Sequence, residues 1–195
     1  MKTIIYLFVL SLLLILSPNA FAEGETVVSD FDSGEMTNNL GGGIEVWLAG
    51  DGSDATQFSK MSLVPDDALA NAAGKSVRID YDVDSENPAY NGIRTDLKDF
   101  DTTGYKTVNF YIKGDTTSGF TKVLKIELIG ESGHPSPTMV NGITDQWQKI
   151  SIPLTDFPMI KDGSKLQKFV VVFADINNDP KVGTIYLDHV SFSKS

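Results

Sequence analysis

Residues 75–83 read "KSVRIDYDV", and the alternation in this stretch decides the fold class. Val77, Ile79, Tyr81 and Val83 recur at every second position, with Arg78, Asp80 and Asp82 between them. A period of two marks a β-strand with one face in a core and the other toward water. The same pattern returns outward along the chain. "TVNFYIKG" (107–114) sets Val108, Phe110 and Ile112 against Asn109, Tyr111 and Lys113. "KVLKIELIG" (122–130) sets Leu124, Ile126 and Leu128 against Lys125 and Glu127. "WQKISIPL" (147–154) places Trp147, Ile150 and Ile152 among polar residues, and Pro153 ends regular pairing. "KFVVVFADI" (168–176) is continuously apolar, as expected of a central strand covered on both faces. "TIYLDHVSF" (184–192) alternates again.

Clusters rich in Gly, Asn, Asp and Pro separate these runs: "DVDSENPAYNG", "KGDTTSG", "GESGHPSP", "KDGSK" and "NNDPKVG". Many short strands with regular turns predict an all-β chain, a sandwich of two antiparallel sheets. Only "DDALANAAG" (66–74) has helical flavour, enough for one turn.

The chain has 195 residues, no cysteine and a formal charge of −10. A basic start, an apolar run from Ile4 to Leu16 and the small-x-small ending Ala20-Phe21-Ala22 read as a secretory signal peptide over 1–22. The apolar run is short of the roughly 20 residues that span a membrane. Residues 23–195 then form one domain, large enough to hold a core without disulfides, which the lack of cysteine excludes. Secreted or periplasmic placement follows. The acidic surface disfavours nucleic acid and anionic membrane, and suits solubility and divalent cations.

The order "FDSGE…N-LGG…W", "GKSVRIDYDV", "YNGIRTDL", "YKTVNFYIKG", "DQWQKISIPLTDF" and "IYLDHVSF" resembles the galactose-binding-like jelly rolls. Within that group it looks like the family-eleven carbohydrate-binding modules and the complex I intermediate-associated protein domain. The resemblance covers most of residues 23–195. It implies a non-catalytic jelly-roll sandwich that binds a poly- or oligosaccharide and commonly holds a structural calcium ion. It also implies that the first and last strands lie side by side.

Calcium takes about six to eight oxygens from carboxylates, amides and carbonyls. By position in the resembling fold, Asp32 and Asp188 are the leading ligands, with Asp30 and Asn38 behind them. The choice between Asp30 and Asp32 stays open. "DINNDP" (175–180) imitates the start of an EF-hand loop, but Pro180 and Tyr186 occupy the places of its Gly and bidentate Glu, so it reads as a turn. "NNLGGGIEVW" (38–47) reads as a loop-to-strand corner that presents Glu45 and Trp47.

A saccharide site needs an aromatic platform and convergent polar groups. The strand phases expose Arg94 and Asp96, Asn109 and Tyr111, and Lys125 and Glu127 on non-core faces. If their strands are neighbours, Arg94, Asp96, Tyr111 and Glu127 form one patch, rimmed by Trp47, Tyr90 and His134. The competing reading is an ordinary solvated face, with ion pairs worth under about 1 kcal/mol. Trp147 reads as core beside Ile150 and Ile152, His134 as a loop residue, and His189 has no partner cluster in sequence. No G-x-S-x-G, H-E-x-x-H or phosphate loop is present, so a non-enzyme is expected. The alternatives are a protein-interaction domain, marked by an apolar outer face with Arg94 turned away, and a secreted glycosidase, which needs a paired carboxylate site.

Overall fold

The protein is described here by a computed structural model, covering residues 24–48, 54–65 and 74–195. The expected leader, and the helical turn at 66–74 apart from Gly74, lie outside the described residues.

The strands are β1 (Glu25–Ser29), β2 (Ile44–Leu48), β3 (Phe58–Pro65), β4 (Lys75–Asp82), β5 (Tyr90–Asp101) and β6 (Thr107–Gly114). They continue with β7 (Val123–Gly130), β8 (Pro135–Asn141), β9 (Gln148–Pro153), β10 (Lys165–Ala174) and β11 (Val182–Ser193). Among the described residues the only helix is a 3-10 turn, Leu154–Asp156, directly after Pro153. The all-β expectation therefore holds.

One sheet runs β3-β4-β11-β6-β9, and the other β2-β5-β10-β7-β8. Every pairing is antiparallel. The long β11 pairs with β4 over Val182–Leu187 and with β1 over Val190–Ser193. First and last strands thus lie side by side.

Alternation builds the core. Val77, Ile79 and Tyr81 from β4 and Val108, Phe110 and Ile112 from β6 are fully buried, facing Leu124, Ile126 and Leu128 of β7. Aromatic contacts join the layers: Tyr81 stacks on Phe173 with centroids 4.2 Å apart, and Phe110 meets Phe169 edge-on at 5.9 Å. Burial raises the Tyr81 phenol to about 12. Its hydroxyl donates to the Pro180 carbonyl at 3.0 Å and accepts from the Thr121 amide at 2.8 Å.

β10 is the central strand of its sheet and is covered on both faces. Phe169, Val171 and Phe173 belong to the inter-sheet core. Val170 and Val172 face the other way, yet are only 3% and 1% exposed. What covers these two outward valines defines the candidate site.

Candidate functional site

The register of the second sheet aligns its outward residues in rows across five strands. One row is Trp47–Gly92–Val172–Lys125–Met139. The next is Glu45–Arg94–Val170–Glu127–Pro137. Strands lie about 4.8 Å apart, so a row spans about 19 Å. The valines form an apolar floor, and the longer side chains around them shield it from water.

Trp47 and Tyr90 form the aromatic part of this face. Their ring centroids are 6.0 Å apart and the rings are inclined by 55°. Tyr90 is 47% exposed. Glycine opposite Trp47 makes room for the indole. A Cβ on Gly92 would stand 3.2 Å from Trp47 Nε1 and 1.9 Å from the Val171 carbonyl oxygen. Among the described residues the buried indole N–H has no hydrogen-bond partner, so packing positions this ring. Among the described residues no cation lies over either ring.

The polar groups come in pairs. Arg94 Nε donates to Glu45 Oε1 at 2.7 Å, and Lys125 Nζ meets Glu127 Oε1 at 3.0 Å. Asp96 receives the Lys98 backbone N–H at 2.8 Å and its ammonium at 3.1 Å. Chiefly that backbone N–H holds the Asp96 carboxyl below the usual carboxylate range. Each pair offers donors and acceptors a few ångströms apart, a spacing that hydroxyl-rich ligands can use.

Four of the five expected ligand residues, Trp47, Arg94, Asp96 and Glu127, therefore share one outer face. Tyr111 does not. β6 lies in the other sheet, where the Tyr111 ring packs edge-on against His189 at 6.2 Å. The expected patch assumed that β6 neighbours β5 or β7, but β6 pairs with β11 and β9. His189, which showed no partner in sequence, is buried with its Nε2 3.6 Å from Glu25 Oε1. Glu25 approaches only because β1 pairs with β11. His134 is an exposed loop residue whose backbone N–H meets Ser132 Oγ.

Trp147 is also corrected. It lies outside the core cluster, half-buried on the outer face of the first sheet. It precedes β9 in phase with Lys149, while Ile150 and Ile152 turn inward. Lys113 Nζ lies 4.9 Å from the Trp147 ring centre and 5.1 Å from that of Tyr186, with Arg78 on Tyr186 at 5.9 Å. These aromatic faces are occupied by the protein's own cations, unlike, among the described residues, those of Trp47 and Tyr90.

The residues that the resemblance names for calcium each already meet hydrogen-bond donors of the protein. Asn38 is committed to the protein: its Oδ1 accepts the Leu40 and Gly42 N–H groups, and its Nδ2 donates to Thr95 Oγ1 and the Asp96 carbonyl. Asp30 accepts the Asp32 N–H and the Asn39 amide. Asp32 accepts the Lys75 N–H at 2.8 Å, and buried Asp188 accepts the His189 N–H at 2.7 Å. Among the described residues no three His, Cys, Asp or Glu side chains converge as a metal site. Residues 30–42 form a hydrogen-bonded loop anchored by Asn38.

Sequence reasoning passed over the floor, Val170 and Val172, and the role of Gly92. An isolated glycine inside a strand pattern was the available signal for a close approach. For the valines, burial on both faces was legible but not what covered the outer one.

The family model for carbohydrate binding domain 30 matches residues 38–194, and the chain belongs to that family. Solved structures share the fold. The family 11 carbohydrate-binding module of a Clostridium thermocellum cellulosomal cellulase is 16% identical with a TM-score of 0.62, covering 88% of this chain and 95% of that one. The Clostridium thermocellum family 11 module in complex with a β-1,3-1,4-mixed-linked tetrasaccharide is 17% identical with a TM-score of 0.59, covering 88% and 96%. A xylan-binding domain of Paenibacillus barcinonensis is 14% identical with a TM-score of 0.50, covering 87% and 95%. The comparison with curated proteins found no match.

Proposed function

We propose that this protein is an exported, non-catalytic domain that binds a poly- or oligosaccharide on the outer face of the β2-β5-β10-β7-β8 sheet. The observation that carries the reading is the Trp47–Tyr90 shelf, uncapped by any cation among the described residues, beside the Val170–Val172 floor. A sugar ring presents apolar C–H faces and a rim of hydroxyls. The shelf suits the first, over a buried valine floor that supports it, and the Arg94–Glu45 and Lys125–Glu127 pairs suit the second. Pairing makes this face nearly neutral despite the acidic chain, so neither an acidic nor a basic ligand gains from it. Among the described residues no helix is long and apolar enough to cross a membrane. The Clostridium thermocellum module with its mixed-linked tetrasaccharide makes mixed-linked β-glucan the first ligand to try.

Affinity electrophoresis in gels containing soluble polysaccharides tests the reading. Retardation by at least one polysaccharide is expected, and Trp47→Ala should abolish it without changing mobility in a plain gel. Equal retardation of Trp47→Ala and wild type would overturn this placement of the site.

A further inference from the structure

The same outer face continues past the aromatic shelf to a feature that neither the family match nor the shelf assigns. β5 and β10 both lose their regular course there. The β10 register shifts against both neighbours between Leu166 and Lys168. On β5, Lys98 and Asp99 are consecutive left-handed residues, with φ of 52° and 56°. Non-glycine residues are costly in that region and two in succession are unusual. Between the displaced strands opens a notch of ≈ 280 Å³ lined by Asp96, Lys98, Asp99, Gln167 and Lys168. All five are polar.

We infer that this notch is a second saccharide subsite, taking a further sugar unit of the chain whose first unit rests on Trp47 and Tyr90. The inference rests on the reading of the shelf given above. Asp96 lies four residues beyond Gly92 on β5, placing the notch about 13 Å from the shelf row along the strand. Lys168 is the cross-strand partner of Asp96, so both project in phase with Arg94 and Val170. Lys98 and Lys168 are balanced by Asp96 and Asp99, leaving the notch formally neutral. It offers ammonium and amide donors beside carboxylate acceptors. Without an aromatic platform, it recognises a sugar by its hydroxyls, through hydrogen bonds alone.

The glycine corner supports the assignment. Gly43 continues β2 in phase with Glu45 and Trp47, and its carbonyl accepts the Asp96 N–H at 3.1 Å. A Cβ on Gly43 would meet nothing within 4 Å. This glycine is therefore not required by crowding of the backbone, unlike Gly42, whose Cβ would stand 1.9 Å from the Asp96 carbonyl oxygen. Gly43 leaves the approach to Asp96 low and open.

The test is a calorimetric titration of wild type, Gly43→Leu, Lys168→Ala and Trp47→Ala with a mixed-linked β-gluco-tetrasaccharide and the corresponding disaccharide, with melting curves as folding controls. Wild type should bind the tetrasaccharide more tightly. Gly43→Leu and Lys168→Ala should each weaken it about tenfold, the equivalent of one or two hydrogen bonds, and leave the disaccharide unchanged. Trp47→Ala should lose both ligands. Equal effects of Gly43→Leu and Lys168→Ala on both ligands, or on neither, would overturn the notch and leave the shelf standing if Trp47→Ala still loses binding. Wild-type affinity retained by Trp47→Ala would overturn the shelf, and the subsite with it.

Discussion

Replacing Gly92 with alanine should damage stability and ligand binding together, for one geometric reason. The new Cβ would lie 1.9 Å from the Val171 oxygen and 2.9 Å from its carbonyl carbon. Neither is a flexible side-chain end, so backbone must move by about 1 Å to restore contact distance. That shift opens the β5–β10 ladder in the middle of the sheet and lifts the floor under Trp47, whose Nε1 is 3.2 Å from the same position. Losing one or two ladder hydrogen bonds, with strain added, amounts to about 2–4 kcal/mol. For a domain of this size, 1 kcal/mol shifts Tm by about 2–4 °C, so a fall on the order of 10 °C is expected. Circular dichroism melts of Gly92→Ala beside Gly43→Ala make the comparison internal. Gly43 has open space and should change Tm by no more than about 2 °C. A Gly92→Ala protein that melts with wild type and binds polysaccharide equally well would refute the placement of the indole over this glycine.

Other expectations follow from the same geometry. Asn38→Ala removes the acceptor for two loop N–H groups and the donor to Thr95 and Asp96, and should destabilise the fold by about 2–4 kcal/mol in urea titration. Excess chelator should leave Tm unchanged, since Asp30, Asp32 and Asp188 each accept a backbone N–H of the protein; a fall of several degrees would restore a cation to that region. The Tyr81 phenol, held near 12 by burial, binds its proton more tightly folded than unfolded. Its contribution is therefore complete below pH 10 and declines by about 2–3 kcal/mol as pH rises from 10 to 12. Urea titrations across that range should show this decline, and Tyr81→Phe should flatten it. Trp147→Ala should leave saccharide affinity unchanged in gel retardation, because its ring lies on the opposite face beneath Lys113.

The strands were legible because alternation is a local property. Val77, Ile79 and Tyr81 fall on the buried side that a period of two assigns them. The continuous run around Val171 announced a central strand, and β10 is one. Strand order was not local, and that is where the site reading went astray. Tyr111 and Glu127 have the same outward phase in sequence, but β6 and β7 belong to different sheets. The partnership of Glu25 with His189 spans almost the whole folded chain, and no spacing rule reports it. Trp147 was misread because its neighbours Ile150 and Ile152 are core, although phase with Lys149 puts it outside. Asp30, Asp32 and Asn38 offered ligand-like oxygens, and only the folded loop reveals that the Asn38 oxygen already accepts two backbone N–H groups.

The two tryptophans stand on opposite faces, and this gives the central claim its most direct measurement. In a two-dimensional nitrogen–proton spectrum, the indole Nε1–H signals of Trp47 and Trp147 can be assigned by single substitution and followed through titration with a mixed-linked tetrasaccharide. The account predicts a progressive, saturable shift of the Trp47 signal, with Trp147 stationary. A shift confined to Trp147, or saturable binding that moves neither indole, would contradict a saccharide site built on the Trp47–Tyr90 shelf.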